Sequence, residues 1–269
     1  MIRDITIGQY YPANSILHRL DPRVKFVGAM LFVISLFILK TWTGYAIATL
    51  FLGSMIILSK VPFGFMVKGL RAIIFLMMIT VVFNIFLTPG ETILWQWKFI
   101  QITREGLVVA GSMMLRLIYL ILGSSLMTLT TTPTQLTSAL ERLLRPLNKI
   151  KIPVHEIAMM MSIALRFIPI LLEETDKIMK AQTARGADFE SGGLIKRVKS
   201  MIPLLVPLFV SAFRRADDLA MAMEARCYHG GAGRTQMKPL VYCSRDIFGY
   251  LILIAYLAAC IMVTYIWRI

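Results

Sequence analysis

The chain has 269 residues, 57% of them hydrophobic, with a mean hydropathy of +0.71 and a formal net charge of +14. That apolar share is too high for a soluble domain and points to a bilayer as the solvent. Three cysteines, Cys227, Cys243 and Cys260, make no paired framework, which excludes a disulfide-stapled secreted fold.

The opening stretch MIRDITIGQYYP has no apolar core after a basic start and does not read as a signal peptide. Five apolar segments then have the dimensions of spanning helices: about residues 26–39, 45–59, 72–87, 107–129 and 247–267. In a five-span topology, 24 of the 29 Lys and Arg fall on one side, seventeen of them in residues 131–245. The positive-inside rule makes that side the cytoplasm, with the N-terminus in and the C-terminus out. This placement accounts for most of the net charge. With no basic-aromatic interleaving or known module, nucleic-acid binding is not expected.

Residues 131–245 are too charged for spans and too apolar for an ordinary loop. TTPTQLTSALERLLRPLNKIKIP predicts a short helix from Pro133 or Thr134 to about Leu147, with Thr132 as N-cap and Pro133 in the first turn. A long helix is expected over residues 154–184. Its first half is apolar, with His155, Ser162, Arg166 and Glu173 near one stripe. In its polar second half, Glu173, Glu174 and Asp176 read as a solvated face beside Lys177 and Lys180. ADFESGGLIKRVKS reads as a connector with a small basic helix. A second long helix is expected over residues 202–228, stopped by Gly230 and Gly231 and followed by a flexible return, GGAGRTQMKP. The fold class is therefore an all-α membrane protein. A membrane domain of four spans (1–130) is followed by a cytoplasmic helical domain (131–245) and the last span (246–269).

Both long helices end alike. Arg185 follows Ala184 and precedes Gly186; Arg226, 41 positions on, follows Ala225 and precedes Cys227. A single arginine there complements the helix dipole. Two in the same small-residue setting read as guanidiniums free to reach a partner's carboxylates or carbonyl ends. Arg116 is the one clear ionisable residue inside a span. It is a functional candidate by its cost alone, with a structural reading in which it bonds carbonyls or Ser112 and holds helices together. There is no Gly-Lys dipeptide, so no phosphate-cradling P-loop, and no HExxH, GxSxG or CxxC. Cys227 and His229 lack further ligands for a metal. His18 and His155 read as surface or interface residues rather than bases. Neither catalysis nor a cofactor is expected.

These features, taken together, resemble the transmembrane T component of energy-coupling factor (ECF) transporters. SILHRLDPRVKF is similar to the family's Ser-x-x-His-x-Leu-Asp-Pro-Arg-x-Lys stretch, and TLTTTPTQL to its Thr-rich entry into the coupling region. MMSIALRFIPILLEETDKIMKAQTARGADF and PLLVPLFVSAFRRADDLAMAMEARCYHG are similar to its two coupling helices. The likeness covers essentially the whole chain and is nearest the group in which one T subunit serves several interchangeable binding modules. It implies a coupling domain at 131–245 and two partner ATPases. It also implies a membrane-embedded substrate-binding S component and a multi-pass location in a prokaryotic plasma membrane. The solute would be a vitamin or a metal ion. The Ala-Arg-Gly ends would enter grooves on the ATPases, here through Ala184, Arg185, Gly186 and Ala225, Arg226, Cys227. Cys227 stands where the family has glycine, and a helix stop displaced to Gly230 is an expectation. The segment His18–Arg23 reads as fixing the entry to the first span. A conventional ABC permease that forms the solute path itself is the alternative; a membrane enzyme or a structural anchor is more remote.

Overall fold

Asp21 and Pro22 begin the helical part of the chain together. The proline suits a first helical position, and the aspartate carboxylate accepts from the Arg23 backbone N–H at 2.8 Å. In a computed structural model describing residues 10–39, 41–90, 92–97, 100–189, 193–231, 237 and 239–266, this start opens α1 (Pro22–Ile38). There follow α2 (Trp42–Ser59), α3 (Phe63–Leu87), β1 (Ile93–Trp97), β2 (Ile100–Thr103) and α4 (Arg104–Thr130). Then come α5 (Pro133–Leu144), a 3-10 turn (Arg145–Ile150), α6 (Val154–Ala184), α7 (Leu194–Ala225) and α8 (Ser244–Ile266).

Local chemistry sets most of these boundaries. Thr41 caps α2 and Thr103 caps α4, each hydroxyl accepting from a glycine N–H three residues on, Gly44 and Gly106. Lys60 ends α2 in the left-handed region, at φ 54°. Thr132 and Gln135 form a reciprocal capping box at the start of α5: the Thr132 hydroxyl accepts from Gln135 N–H, and Gln135 Oε1 accepts from Thr132 N–H.

The all-α membrane fold is as expected, with one addition. Residues 93–97 and 100–103 form the short antiparallel pair β1–β2, with Trp97 opposite Ile100 and Ile93 opposite Thr103. Helices α2, α4, α6 and α8 are long and apolar enough to cross a membrane. So is α3, if its two limbs, bent by 60° between Phe63–Arg71 and Ile73–Leu87, make one span. Helix α1, at 17 residues, reaches about 25 Å, a little short of the hydrocarbon thickness. Several predicted bounds shift: α3 starts at Phe63, nine residues before the expected third span. The helix after Thr132 stops at Leu144 and passes into the 3-10 turn at Arg145. Helix α7 starts eight residues early, absorbing the basic segment of the supposed connector, and it ends at Ala225 rather than Tyr228. Most of the return loop 232–238, and Lys40, Lys98, Trp267 and Arg268, lie outside the described residues.

Two compact units divide the chain: Gly8–Ala139 with Leu240–Ile269, and a second that includes Leu140–Pro239. In the first, α4 packs against α1, α2 and α3, while α8 lies on α1 and α2. Leu36, Ala48, Leu52, Met66, Leu122, Tyr256 and Cys260 fill its core. The Tyr256 ring stacks on Phe51 with centroids 4.1 Å apart, and its hydroxyl meets Ser35 Oγ at 2.8 Å. Close helix approach needs Gly123, where a Cβ would stand 2.7 Å from the Phe32 ring. Leu50, Ile57 and Phe75 point outward and are more than 70% exposed, as lipid-facing side chains are.

A polar knot closes one end of this unit. Arg23 grips the Asp21 carboxylate through Nε at 3.0 Å and Nη2 at 2.8 Å, and lies 3.6 Å beneath the Tyr242 ring. Asp246, 3% exposed, accepts from the backbone N–H of Asp21 and of Cys243, both at 2.8 Å. Lys25 Nζ donates to the carbonyls of Thr130 at 2.9 Å and His18 at 3.3 Å. His18 in turn accepts from Ser15 Oγ and donates through Nε2 to the Tyr11 carbonyl at 3.0 Å. Burial pushes the Asp21 carboxyl up, but the Arg23 guanidinium and N–H outweigh it and hold the group below its usual range.

Replacing Asp246 by Ala strands two backbone N–H groups and is expected to cost about 2–4 kcal/mol, read as a lower thermal midpoint in detergent, with Asn in between. Gly123→Val is expected to cost about 1–3 kcal/mol by overpacking against Phe32. The same change at Gly53, where nothing lies within 4 Å of a Cβ, leaves the midpoint near wild type.

Candidate functional site

Helix α6 ends in a six-residue hydrogen-bond pattern. Gly186, at φ 88°, donates its N–H to the Thr183 carbonyl at 2.9 Å, and Ala187 donates to Gln182 at 3.0 Å. This is a Schellman stop with Arg185 as C-cap and Gly186 in the left-handed position. Helix α7 ends in the same pattern. Cys227 donates to Glu224 at 2.8 Å and Tyr228 to Met223 at 3.0 Å, with Arg226 as C-cap. Cys227 itself takes the left-handed conformation, at φ 56°. The stop therefore does not slide to Gly230: two hydrogen bonds hold Cys227 in a region that disfavours a side chain. Ala184, Arg185, Gly186, Ala225, Arg226 and Cys227 are all exposed.

The two helices run antiparallel. Ser211 Oγ, on α7, donates to Glu174 Oε1 at 2.7 Å, and Arg215 Nη2 pairs with Glu174 Oε2. At the other end of the seam, Gly231 lies so close to His155 that a Cβ would meet the ring at 2.5 Å. Glu174 is thus an interhelical clamp, not part of a solvated face as its local sequence suggests. Of the stripe on α6, His155 Nδ1 meets Glu141 Oε1 at 2.8 Å, Ser162 and Arg166 line a cavity shared with Arg226, and Glu173 is exposed. Arg226 therefore stands beside the Ser162–Arg166 level of α6, nineteen residues before Arg185. At a rise of about 1.5 Å per residue, the two helix tips are ~28 Å apart along α6. Pro169 in α6 and Pro203 and Pro207 in α7 each remove an intrahelical N–H.

Arg116 stands apart from these tips. Its Nη2 donates to Tyr45 Oη at 3.1 Å and to the Leu39 carbonyl at 3.4 Å, where α1 ends, and its guanidinium lies 5.6 Å from the Phe37 ring. Ser112 bonds instead to the Val109 carbonyl of its own helix. The placement suits a cation at the negative end of a helix dipole. The Cys227–His229 pair gathers no third ligand: among the described residues no three His, Cys, Asp or Glu side chains converge. Sequence reasoning had no signal for Asp246 or for Tyr45 as a partner of Arg116. Arg215 was visible only as one of a charged run.

The cobalt transport protein (CbiQ) family model matches residues 13–238. Relatives named energy-coupling factor transporter transmembrane protein EcfT include one from Clostridium kluyveri, 56% identical over 93% of both chains. Another, from Ruminiclostridium cellulolyticum, is 53% identical over 99% of this chain and 100% of its own. A third, from Bacillus subtilis, is 51% identical over 91% of this chain and 93% of its own. With a family model spanning most of its length and relatives this similar end to end, the chain belongs to the family of energy-coupling factor transporter transmembrane proteins.

Proposed function

We propose that the chain is the transmembrane coupling subunit of an ECF-type importer in a prokaryotic plasma membrane. In this reading it carries motion from two cytoplasmic ATPases to a membrane-embedded S component that binds a vitamin or metal ion. The residues 131–245 and the N-terminus face the cytoplasm, as the cation bias argues. ATP is hydrolysed by the partners, and this subunit carries no catalytic role. The names of the relatives favour this reading over a permease that forms the solute path alone.

One observation carries the proposal. Two exposed arginines cap two helices in the same Schellman geometry, each flanked by alanine and by a residue at positive φ. Small neighbours leave each planar fork open for carboxylates or helix-end carbonyls on a partner. Tips ~28 Å apart suit two separate sockets, one per ATPase, better than one shared site. The clamp at Glu174 ties the helices together, so that motion at one tip is felt by the other.

The test is transport and ATPase co-purification in Arg185→Ala, Arg226→Ala and the double variant. Charge-assisted bonds of this kind are worth about 1.5–3 kcal/mol, so each single change is expected to weaken ATPase binding roughly 10- to 100-fold. The double variant is expected to abolish uptake while still inserting in the membrane. Uptake at the wild-type rate in an inserted double variant would falsify the coupling role. Cys227→Gly relaxes a strained position and is expected to keep full uptake. Cys227→Val, β-branched where φ is positive, is expected to lose about 1–2 kcal/mol at the helix end and to misplace Arg226, seen as weaker ATPase binding.

A further inference from the structure

Between the first half of α6 and the last turns of α7 lies an open cavity of about 670 Å³, within the range of ligand and peptide sockets. Met159, Phe167 and Met223 give it an apolar floor, Arg166 and Arg226 line it together, and no carboxylate does. Along the seam Glu174 of α6 pairs with Arg215 of α7, and at the start of α6 His155 meets Glu141 of α5. Arg166 and Arg226, like Arg185 and Arg214, take part in no ion pair among the described residues; what sets the first two apart is that they line one cavity. Two like charges facing one cavity repel, and a carboxylate brought in from outside turns that repulsion into two attractions. The apolar floor asks that the carboxylate come on an element with an apolar face. Tyr228 and Gly230, just past the exposed tip of α7, also line the cavity, so it opens on the surface that carries Arg226.

We infer that this cavity is an acceptor socket for a carboxylate-bearing, apolar-faced segment of the ATPase that meets Arg226, with Arg166 as its second anchor. The inference rests on the coupling function proposed above and adds to it. Contact at this tip is mutual: the arginine reaches into the partner, and the partner reaches into the seam between α6 and α7. An acyl chain with a phosphate headgroup would satisfy the same charges. Continuity with the Arg226 surface favours the protein partner.

The experiment measures the affinity of the full-length chain in mild detergent for its own ATPases, for Arg166→Gln, Arg166→Lys and the exposed α7 control Arg214→Gln. Gln is shorter, keeps part of the aliphatic stem and a polar end, removes the charge, and is expected to weaken binding roughly 10- to 100-fold. Lys keeps the charge, loses the fork and is expected to fall between. Arg214→Gln is expected to bind as wild type. Thermal midpoints of the chain alone, equal across the set, attribute the loss to docking. Arg166 variants with wild-type affinity, alongside an Arg226→Ala that loses the ATPase, would overturn the socket and leave the coupling function standing. Wild-type affinity in both would overturn the coupling function as well. Loss of a co-purifying phospholipid from Arg166→Gln in native mass spectra, with ATPase affinity intact, would make the cavity a lipid site and end the proposal.

Discussion

The membrane unit depends on a carboxylate held chiefly by backbone N–H groups. Asp246 sits at the start of α8 and spends its two oxygens on the backbone N–H groups of Cys243 and Asp21, 225 residues away in sequence from the latter. A buried carboxylate is costly unless its lone pairs are filled, and here both oxygens meet N–H donors. Asp21 repeats the arrangement one step further on, capping α1 and holding Arg23. Arg23 packs beneath Tyr242, just ahead of α8. Lys25 then ties α1 to the last carbonyl of α4. Three helices that meet elsewhere through interchangeable apolar surface are thereby given one register. Apolar packing in a bilayer selects weakly among such registers, because lipid tails are as apolar as leucine.

The second unit is organised by the opposite device. Its helices are apolar and proline-broken in their first halves, where exposed Ile168, Leu205 and Phe209 offer surface to lipid or protein. Their charged second halves are joined at Glu174 and finished by matching stops. Each arginine-capped end is carried on proline-free helix, while proline interrupts the backbone ladder in the first halves.

Much of this was legible because it is local. The Asp-Pro start of α1, the Thr-Pro-Thr-Gln capping box and the Ala-Arg-Gly stop depend on residues within four positions of one another, and each appears where its side chains suggest. The misses share the opposite cause. Glu174 looks solvated beside Lys177 and Lys180 until α7 brings Ser211 and Arg215 to it across 37 to 41 residues. Asp246 gave no sign of its bond to Asp21 for the same reason. Cys227 was misjudged differently: side-chain preference argued for a stop at Gly230, while the paired hydrogen bonds to Met223 and Glu224 hold the stop in place against that preference. The early start of α7 was hidden by Gly192 and Gly193, which looked like the heart of a loop, although Gly193 is the N-cap.

The clamp has a mechanical corollary. From Glu174 to Arg185 is eleven residues, and from Arg215 to Arg226 is eleven residues. Each tip therefore lies on an arm of about 16 Å, the two arms pointing in opposite directions from a common pivot. An ångström of sideways travel at either tip turns its helix by roughly 3–4°. The apolar limbs beyond the pivot, back to Val154 and Leu194, are 20 and 21 residues long. At about 30 Å they are nearly twice the length of the arginine-capped arms. Rigid rotation about such a pivot carries the far ends about twice as far as the arginine-capped tips.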